Sequence, residues 1–486
     1  DAREPGEAEQ PPKLFIAALD ALLSDLKASG ADMAAIAAIN TSGQQHGHVY
    51  LNDQAKAAFA SLRQAASART GLLELLSGTF AYGGAPIWKT ANTTAEADHI
   101  RQAAGGKDAV IRLSGSDIPL RFAGTVHRKL SFRYPEAYAA TRHILQISSF
   151  VPAILAGDCT IPIDFGNACG TGIMNYAKRD WDPVLLASVA ADRPGSTAAL
   201  KAKLPPVAHP LTEVGTVAAW FSARFGLAPS CRIIAGSGDN PQTKVLATGS
   251  LLSLGTSFVY MISSPDGGVD ATGAANAMYD GLGRPFNFVC RTNGALAWDR
   301  LRARHGKDPK DYAACDAALA SVAAGSTLRF WHPDAESFPL CGARPDPVRQ
   351  DQLPPDFAHD YAAVVDSALG LVYRYGSKIA GTNDRAAMSV CGGPSASTGI
   401  MERIAAIWNR PAVQAGQAGA AAGAAVAAAV ALAPAQEREA IAERLRQAIF
   451  AGKPVFQPEP ELVAAYHGQG GYLDRLEQAF EALRKA

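Results

Sequence analysis

A chain of 486 residues with 48% hydrophobic and 19% charged side chains exceeds what one hydrophobic core accommodates, so two domains are expected. Lys plus Arg and Asp plus Glu number 45 each, so no net field draws nucleic acid or an anionic membrane, and a phosphorylated ligand has to be met locally, by backbone N–H groups and a metal ion. The seven cysteines form no C-x-x-C and flank no His at metal-ligand spacing, which points to reduced, buried thiols in a cytosolic, cytoplasmic protein and against a disulfide framework or zinc site.

Residues 1–13 are polar, rich in Pro and Glu, and read as no secretory leader. Residues 14–28 carry Phe15, Ala18, Leu19, Leu22, Leu23 and Leu26 at helical spacing, and residues 34–40 read as a buried strand ending in the turn 42–47. Helix, short apolar strand and polar loop make an α/β signature, with function expected at the strand's C-terminal end. In that loop Gln44, Gln45 and His46 offer the amide and imidazole groups that a polyol's hydroxyls need. A merely exposed loop histidine is the alternative.

Pro-rich residues 204–210 and 344–355 read as surface loops. A strand at 232–235 leads into Gly236-Ser-Gly-Asp-Asn240, where a carboxylate among glycines can approach a ligand closely. Asp239 could take a proton from a hydroxyl attacking phosphorus; alternatively Asp239 and Asn240 only satisfy turn backbone. A strand at 251–254 leads into Ser253-Leu-Gly-Thr-Ser257, whose N–H groups and hydroxyls suit phosphate oxygens, unless the segment is simply a tight hairpin. A strand at 387–391 leads into Gly392-Gly-Pro-Ser-Ala-Ser397, where a base or ribose could lie on bare backbone and Ser395 or Ser397 cap a helix starting near Thr398; a plain Gly-rich connector is equally open. Neither G-x-G-x-x-G nor G-x-x-x-x-G-K-[ST] fits these loops, so Rossmann and P-loop folds lack support. Residues 402–408 and 416–432 read as helices. The Ala/Gly-rich stretch 412–432, interrupted by Gln414 and Gln417, suits packing against a sheet better than lipid. The expected division is 1–236 and 237–486.

In this order the loops resemble the FGGY carbohydrate kinases, and among them the xylulokinase branch. The resemblance runs through SGQQHG at 42–47, PIWKTANTTAEA at 86–97, KLSFRYPEAY at 129–138, PIDFGNACGTGIMNY at 162–176, GSGDNP at 236–241, SLGTS at 253–257, RTNGAL at 291–296 and CGGPSAS at 391–397. It implies two actin/hexokinase-like (ribonuclease H-like) lobes with the ligand cleft between them, a sugar-binding lobe first and an ATP-binding lobe second. It implies ATP with Mg2+, a ketopentose substrate such as D-xylulose, and a homodimer. By matching positions, Asp239 is the expected base and Gln45, His46 and Asn240 line the sugar. Gly255, Thr256 and Ser257 meet the phosphates, and Gly392, Gly393 and Ser397 the adenosine. A kinase of ribulose or fuculose, a non-catalytic sugar- or nucleotide-binding relative, and an actin-like assembly protein are the competing readings. The family opens with a D-x-G-T/S hairpin that nothing before Ala34 matches; the expectation is that this hairpin precedes Asp1, the alternative being a truncated protein, and that either a further short loop belongs between Val245 and Leu246 or the chain carries a deletion there. Thr90 and Asn167 stand where the family often has Asp on the sugar side.

Overall fold

Burial follows the helical period along α1 (Lys13–Ala28), where Ile16, Leu19 and Leu23 face inward. In the computed structural model, which describes residues 4–192, 196–308, 311–379, 386–416 and 419–485, this helix covers a core shared with Phe59, Phe150, Trp220 and Phe221. Three short strands follow: β1 (Ala38–Ile39), β2 (Ser42–Gly43) and β3 (His48–Leu51). The strand expected over 34–40 is shorter than its apolar run. The Asp32 carboxylate accepts from the N–H groups of Ala34 and Ala35 at 3.2 and 3.3 Å and turns Met33–Ala35 into a single helical turn.

Further along the chain, beyond several intervening helices, lie α2 (Ala123–Arg133), β4 (His143–Gln146), α3 (Ile147–Ala156) and the one-turn α4 (Phe165–Ala168). They are followed by β5 (Glu213–Thr216), β6 (Arg232–Ile234), β7 (Ser237–Gly238) and α5 (Asp239–Lys244). Strands order as β5-β6-β1, with β6 parallel to β1, while β3 pairs antiparallel with β4. β7 runs parallel to β2, with Ser237 opposite Ser42 and Gly238 opposite Gly43. Two loops almost two hundred residues apart in sequence therefore leave neighbouring strand ends side by side.

The second half is organised by one seven-stranded sheet. Its members are β8 (Leu251–Leu254), β9 (Phe258–Ser263), β10 (Asn276–Tyr279), β11 (Pro285–Arg291), β12 (Met388–Cys391), β13 (Ala412–Gly416) and β14 (Val455–Phe456). The order is β10-β11-β9-β8-β12-β13-β14, with β8, β12 and β13 parallel. Helices α6 (Ala295–Arg304), α7 (Phe357–Gly376), α8 (Thr398–Trp408) and α9 (Ala420–Leu432) accompany it. Leu252, Leu254, Val390, Leu369 and Ile404 share its core. β8 spans the residues read as a strand from sequence.

Three readings change. Within the Pro-rich 204–210 read as a loop, Val207–Ala208 form a short strand parallel to Ile163–Asp164. Residues 344–349 form a strand paired antiparallel with Arg329–His332, and Pro345 and Pro347 are tolerated because this two-stranded ribbon is all edge. Residues 412–416 are a strand, so the helix read from 416 starts at Ala420; Gln417 lies outside the described residues. All seven cysteines are free thiols, and six are buried.

One cluster joins the halves. Phe122, Phe165, Cys169 and Tyr176 pack with Met278, Tyr279, Phe286 and Phe288. Tyr176 and Tyr279 stack with centroids 4.7 Å apart, and the Ala277 N–H donates to the Gly115 carbonyl at 2.8 Å. β10 is thereby fixed against the first half, next to the loop that follows β2.

Candidate active site

Gln45 and His46 are buried just beyond β2, and Asp239 opens α5 just beyond β7. The Gln45 N–H donates to Asp239 Oδ1 at 3.2 Å, the Asn240 N–H at 2.9 Å and the Asn240 amide Nδ2 at 3.3 Å. The Asn240 amide also donates to Gln45 Oε1 at 2.9 Å. All three bonds fall on one carboxylate oxygen; among the described residues nothing donates to Oδ2. Burial raises the Asp239 pKa above the ordinary carboxylate range, opposed by the N–H groups of Asn240 and Gln45. A side chain at 238 would force Gln45 and Asn167 to move, since a Cβ would stand 2.4 Å from Gln45 Cγ and 2.9 Å from Asn167 Oδ1.

His46 adopts a left-handed backbone, φ 67°, and its ring stacks on Phe122 with centroids 4.8 Å apart. Its Nδ1 meets the Gly170 carbonyl at 2.9 Å. Burial first, and then the nearby Arg121 guanidinium, lower its pKa to about 3, so the imidazole is neutral. Arg121 escaped the sequence reading. It lies between the quoted segments 86–97 and 129–138, with only a following aromatic to mark it. Among the described residues it makes no hydrogen bond or ion pair, and it stands close enough to His46 and Cys290 to perturb both.

Beneath these loops lies a polar floor. Asp164 caps α4, its Oδ2 accepting from the Asn167 N–H at 3.0 Å and from Ser237 Oγ at 2.6 Å. Asn167 is fully buried, its amide donating to Ser148 Oγ at 2.5 Å. Thr90 is buried elsewhere, its hydroxyl donating to the Ala8 carbonyl at 3.0 Å. Burial pushes the Asp164 pKa up to about 7 despite its hydrogen bonds. An unfolded aspartate titrates near 3.9. Between about pH 4 and pH 7 the unfolded chain has therefore lost a proton that the folded chain keeps, and stability falls as pH rises through this window. The thiol of Cys169 faces the same carboxyl. Asp164→Asn, which imitates the protonated form, is expected to flatten this part of the urea-stability profile relative to the parent; parallel profiles would contradict it.

The segment Gly255–Ser257 is the turn between β8 and β9. Its Gly255 and Thr256 carbonyls accept from the N–H groups of Ala295 and Leu296 at 3.0 and 3.4 Å, so the turn seats the start of α6. Gly392, φ 96°, packs against it; a Cβ there would lie 2.4 Å from the Leu254 carbonyl oxygen. Gly392, Gly393, Cys391, Gln414 and Gly416 line an open groove at the C-terminal ends of β12 and β13. Ser397 stands apart: it is buried, caps α8 by accepting from the Ile400 N–H at 3.2 Å, and donates to Asp316. The structure thus gathers Gln45, His46, Asp239 and Asn240 in one place, and Gly255, Thr256, Ser257, Gly392 and Gly393 in another.

Residues 82–245 match the N-terminal domain of the FGGY family of carbohydrate kinases. The chain is 32% identical over 312 residues to the probable D-xylulose kinase A of Aspergillus flavus, an alignment covering 61% of this chain and 51% of the relative. It is 31% identical over 303 residues to D-xylulose kinase A of Aspergillus niger, covering 61% and 52%. The chain spans about half the length of the curated relatives it matches. Among solved structures it is similar to a xyloylose kinase from Brucella ovis (TM-score 0.79, 20% identity, 100% and 92% of the two chains). The xylulose kinase from Rhodospirillum rubrum gives TM-score 0.80 at 17% identity over 99% and 91%. Plasmodium falciparum glycerol kinase with ADP gives 0.72 at 13% over 100% and 90%. The fold is the two-lobed actin/hexokinase type. No helix among the described residues is long and apolar enough to cross a membrane. Similarity to the FGGY carbohydrate kinases thus rests on the domain match over residues 82–245, with xylulose kinases both among the curated relatives and among the structures of like fold.

Proposed function

We propose that this chain transfers the γ-phosphoryl group of ATP to a hydroxyl of a ketopentose, D-xylulose above all, with Asp239 as general base. The observation that carries the reading is the asymmetric anchoring of Asp239: three donors hold Oδ1, while Oδ2 takes no hydrogen bond among the described residues. A base must be both aimed and available, and this carboxylate is both. Its burial-raised pKa also makes it a better proton acceptor than an ordinary aspartate.

In the proposed reaction the sugar lies against Gln45 and His46 with a hydroxyl on Asp239 Oδ2. The proton passes to Oδ2 as the hydroxyl oxygen attacks the γ-phosphorus and the bond from that phosphorus to the β,γ-bridging oxygen breaks, releasing ADP; Asn240 holds both Gln45 and Asp239 in place. The backbone of Gly255, Thr256 and Ser257 faces the phosphates, and the bare backbone of Gly392 and Gly393 accepts the adenosine. Ser397 supports that loop as the cap of α8. Bound Mg2+ neutralises charge on the phosphate oxygens. The described residues hold no group of three or more His, Cys, Asp or Glu that could cage a cation. The reading takes 1–236 as the sugar lobe and 237–486 as the nucleotide lobe, and carries with it a cytoplasmic location and a homodimer. D-xylulose ranks first because the curated relatives are named D-xylulose kinases and because Gln45, His46 and Asn240 offer both donors and acceptors to a polyol.

The test is ATP consumption over D-xylulose, D-ribulose, gluconate and glycerol. Turnover fastest on D-xylulose supports the assignment; turnover on none of them removes it. The pH profile gives a second check. Because the base acts ionised, kcat/KM is expected to rise with pH through a midpoint above the ~3.9 of a free aspartate and then level off. A profile flat down to pH 4 would rule out Asp239 as the titrating base.

A further inference from the structure

Behind His46 lies a run of buried polar side chains that the phosphoryl transfer itself does not use. His48 and Tyr50 on β3 and His127 on α2 are all buried. His48 Nδ1 lies 2.8 Å from the His46 carbonyl oxygen, His48 Nε2 lies 2.9 Å from the Tyr50 hydroxyl, and that hydroxyl lies 2.9 Å from His127 Nδ1. The rings of His48 and His127 meet edge to face, centroids 4.7 Å apart.

The direction of every bond in this run can be deduced. A carbonyl only accepts, so His48 Nδ1 carries a hydrogen and donates to the His46 carbonyl. Burial lowers the pKa of His48 to about 4 and that of His127 well below the ordinary value, so both rings are neutral. His48 Nε2 is then an acceptor, the Tyr50 hydroxyl donates to it, and His127 Nδ1–H must donate to the Tyr50 oxygen. The same logic applies to His46: Nδ1 donates to the Gly170 carbonyl, which leaves Nε2 with a lone pair. The charged and titratable groups facing this run are Arg121 beside His46, and Glu9, Tyr82 and Tyr138 beside Tyr50.

We infer that His127, Tyr50 and His48 form a hydrogen-bond relay that grips the His46 carbonyl, holding His46 in its left-handed backbone and presenting its Nε2 as an obligate acceptor for a substrate hydroxyl. The grip has a physical purpose. A non-glycine residue in the left-handed region is strained and persists only where its surroundings over-determine it. His46 is held at both ends, by Gly170 through the ring and by His48 through the backbone. The relay members are positioning residues, and the inference rests on the sugar-site reading of His46 given above.

Long-range 1H–15N spectra of the 15N-histidine-labelled chain test the relay without any turnover. His46, His48 and His127 are expected as Nδ1–H tautomers that do not titrate between pH 5 and 8, and Tyr50→Phe is expected to shift the ring nitrogens of His48 and His127. A His46 in the Nε2–H form, or one titrating near the ordinary imidazole value, would overturn the inference. The kinetic arm uses Tyr50→Phe, which removes one oxygen, and His127→Leu beside His127→Asn, whose amide can still donate. The expected result is KM for the sugar raised about tenfold, the scale of one lost hydrogen bond, with kcat and the KM for ATP unmoved and recovery in His127→Asn. Equal losses in both KM values, or an unchanged sugar KM despite shifted nitrogens, would show a merely structural cluster. Absence of turnover in the parent would refute the sugar-kinase reading while leaving the spectra to decide the relay.

Discussion

Asp239→Ala is expected to lower kcat by ~10²–10⁴-fold, the usual contribution of a general base, with a much smaller effect on the KM for ATP. That range corresponds to about 3–5 kcal/mol of barrier. The loss belongs in kcat because the proton moves only as the hydroxyl attacks. A group that acts in the transition state and not in ground-state binding changes kcat and kcat/KM together. Asp239→Asn sharpens the test. Its Oδ1 can still accept from the N–H groups of Gln45 and Asn240, so the loop keeps its anchors and only proton acceptance is lost. Similar losses in the two variants, with thermal midpoints near the parent's, identify Asp239 as the base. A loss below tenfold in both variants would reassign it to the turn-satisfying role that Asx residues commonly play.

How far the sequence revealed this site depends on how local each feature is. β8 and the start of α8 were legible because a run of apolar residues and a Ser cap are written in consecutive positions. The sugar-side group was legible as two separate loops, yet nothing local says that residues 45 and 239 touch; parallel pairing of β2 and β7 does that. Arg121 was missed because its role lies in what surrounds it. A cation preceding an aromatic looks like any surface residue until the fold places it beside His46. The relay was invisible for the same reason: His48 and Tyr50 alternate along a strand, but His127 arrives from a helix 77 residues away. Ser397 shows the opposite case. Its side chain could serve either ligand or helix, and the helix took it.

Gly423→Ala is expected to destabilise the protein and slow it, although propensity alone predicts the reverse. In a helix interior alanine is favoured over glycine by about 1 kcal/mol. Gly423, however, faces the backbone of α5: a Cβ would stand 1.8 Å from the Gln242 carbonyl oxygen and 2.6 Å from its carbon. Neither partner is the end of a flexible side chain, so relief requires moving one helix bodily. Overpacking of this kind costs about 1–3 kcal/mol. The move is resisted because the Asn40 amide donates to the Ala424 carbonyl at 3.2 Å and the Gln242 amide to the Thr41 carbonyl at 3.2 Å, tying both helices to the end of β1. Since α5 begins at Asp239, any shift it absorbs displaces the proposed base, and a misplacement of about 1 Å can cost on the order of 10²-fold in rate. The thermal midpoint and kcat should therefore fall together. A raised midpoint with unchanged kcat would mean that α9 does not pack on α5 this closely, whereas a paired fall ties the position of the proposed base to a helix nearly two hundred residues further along the chain.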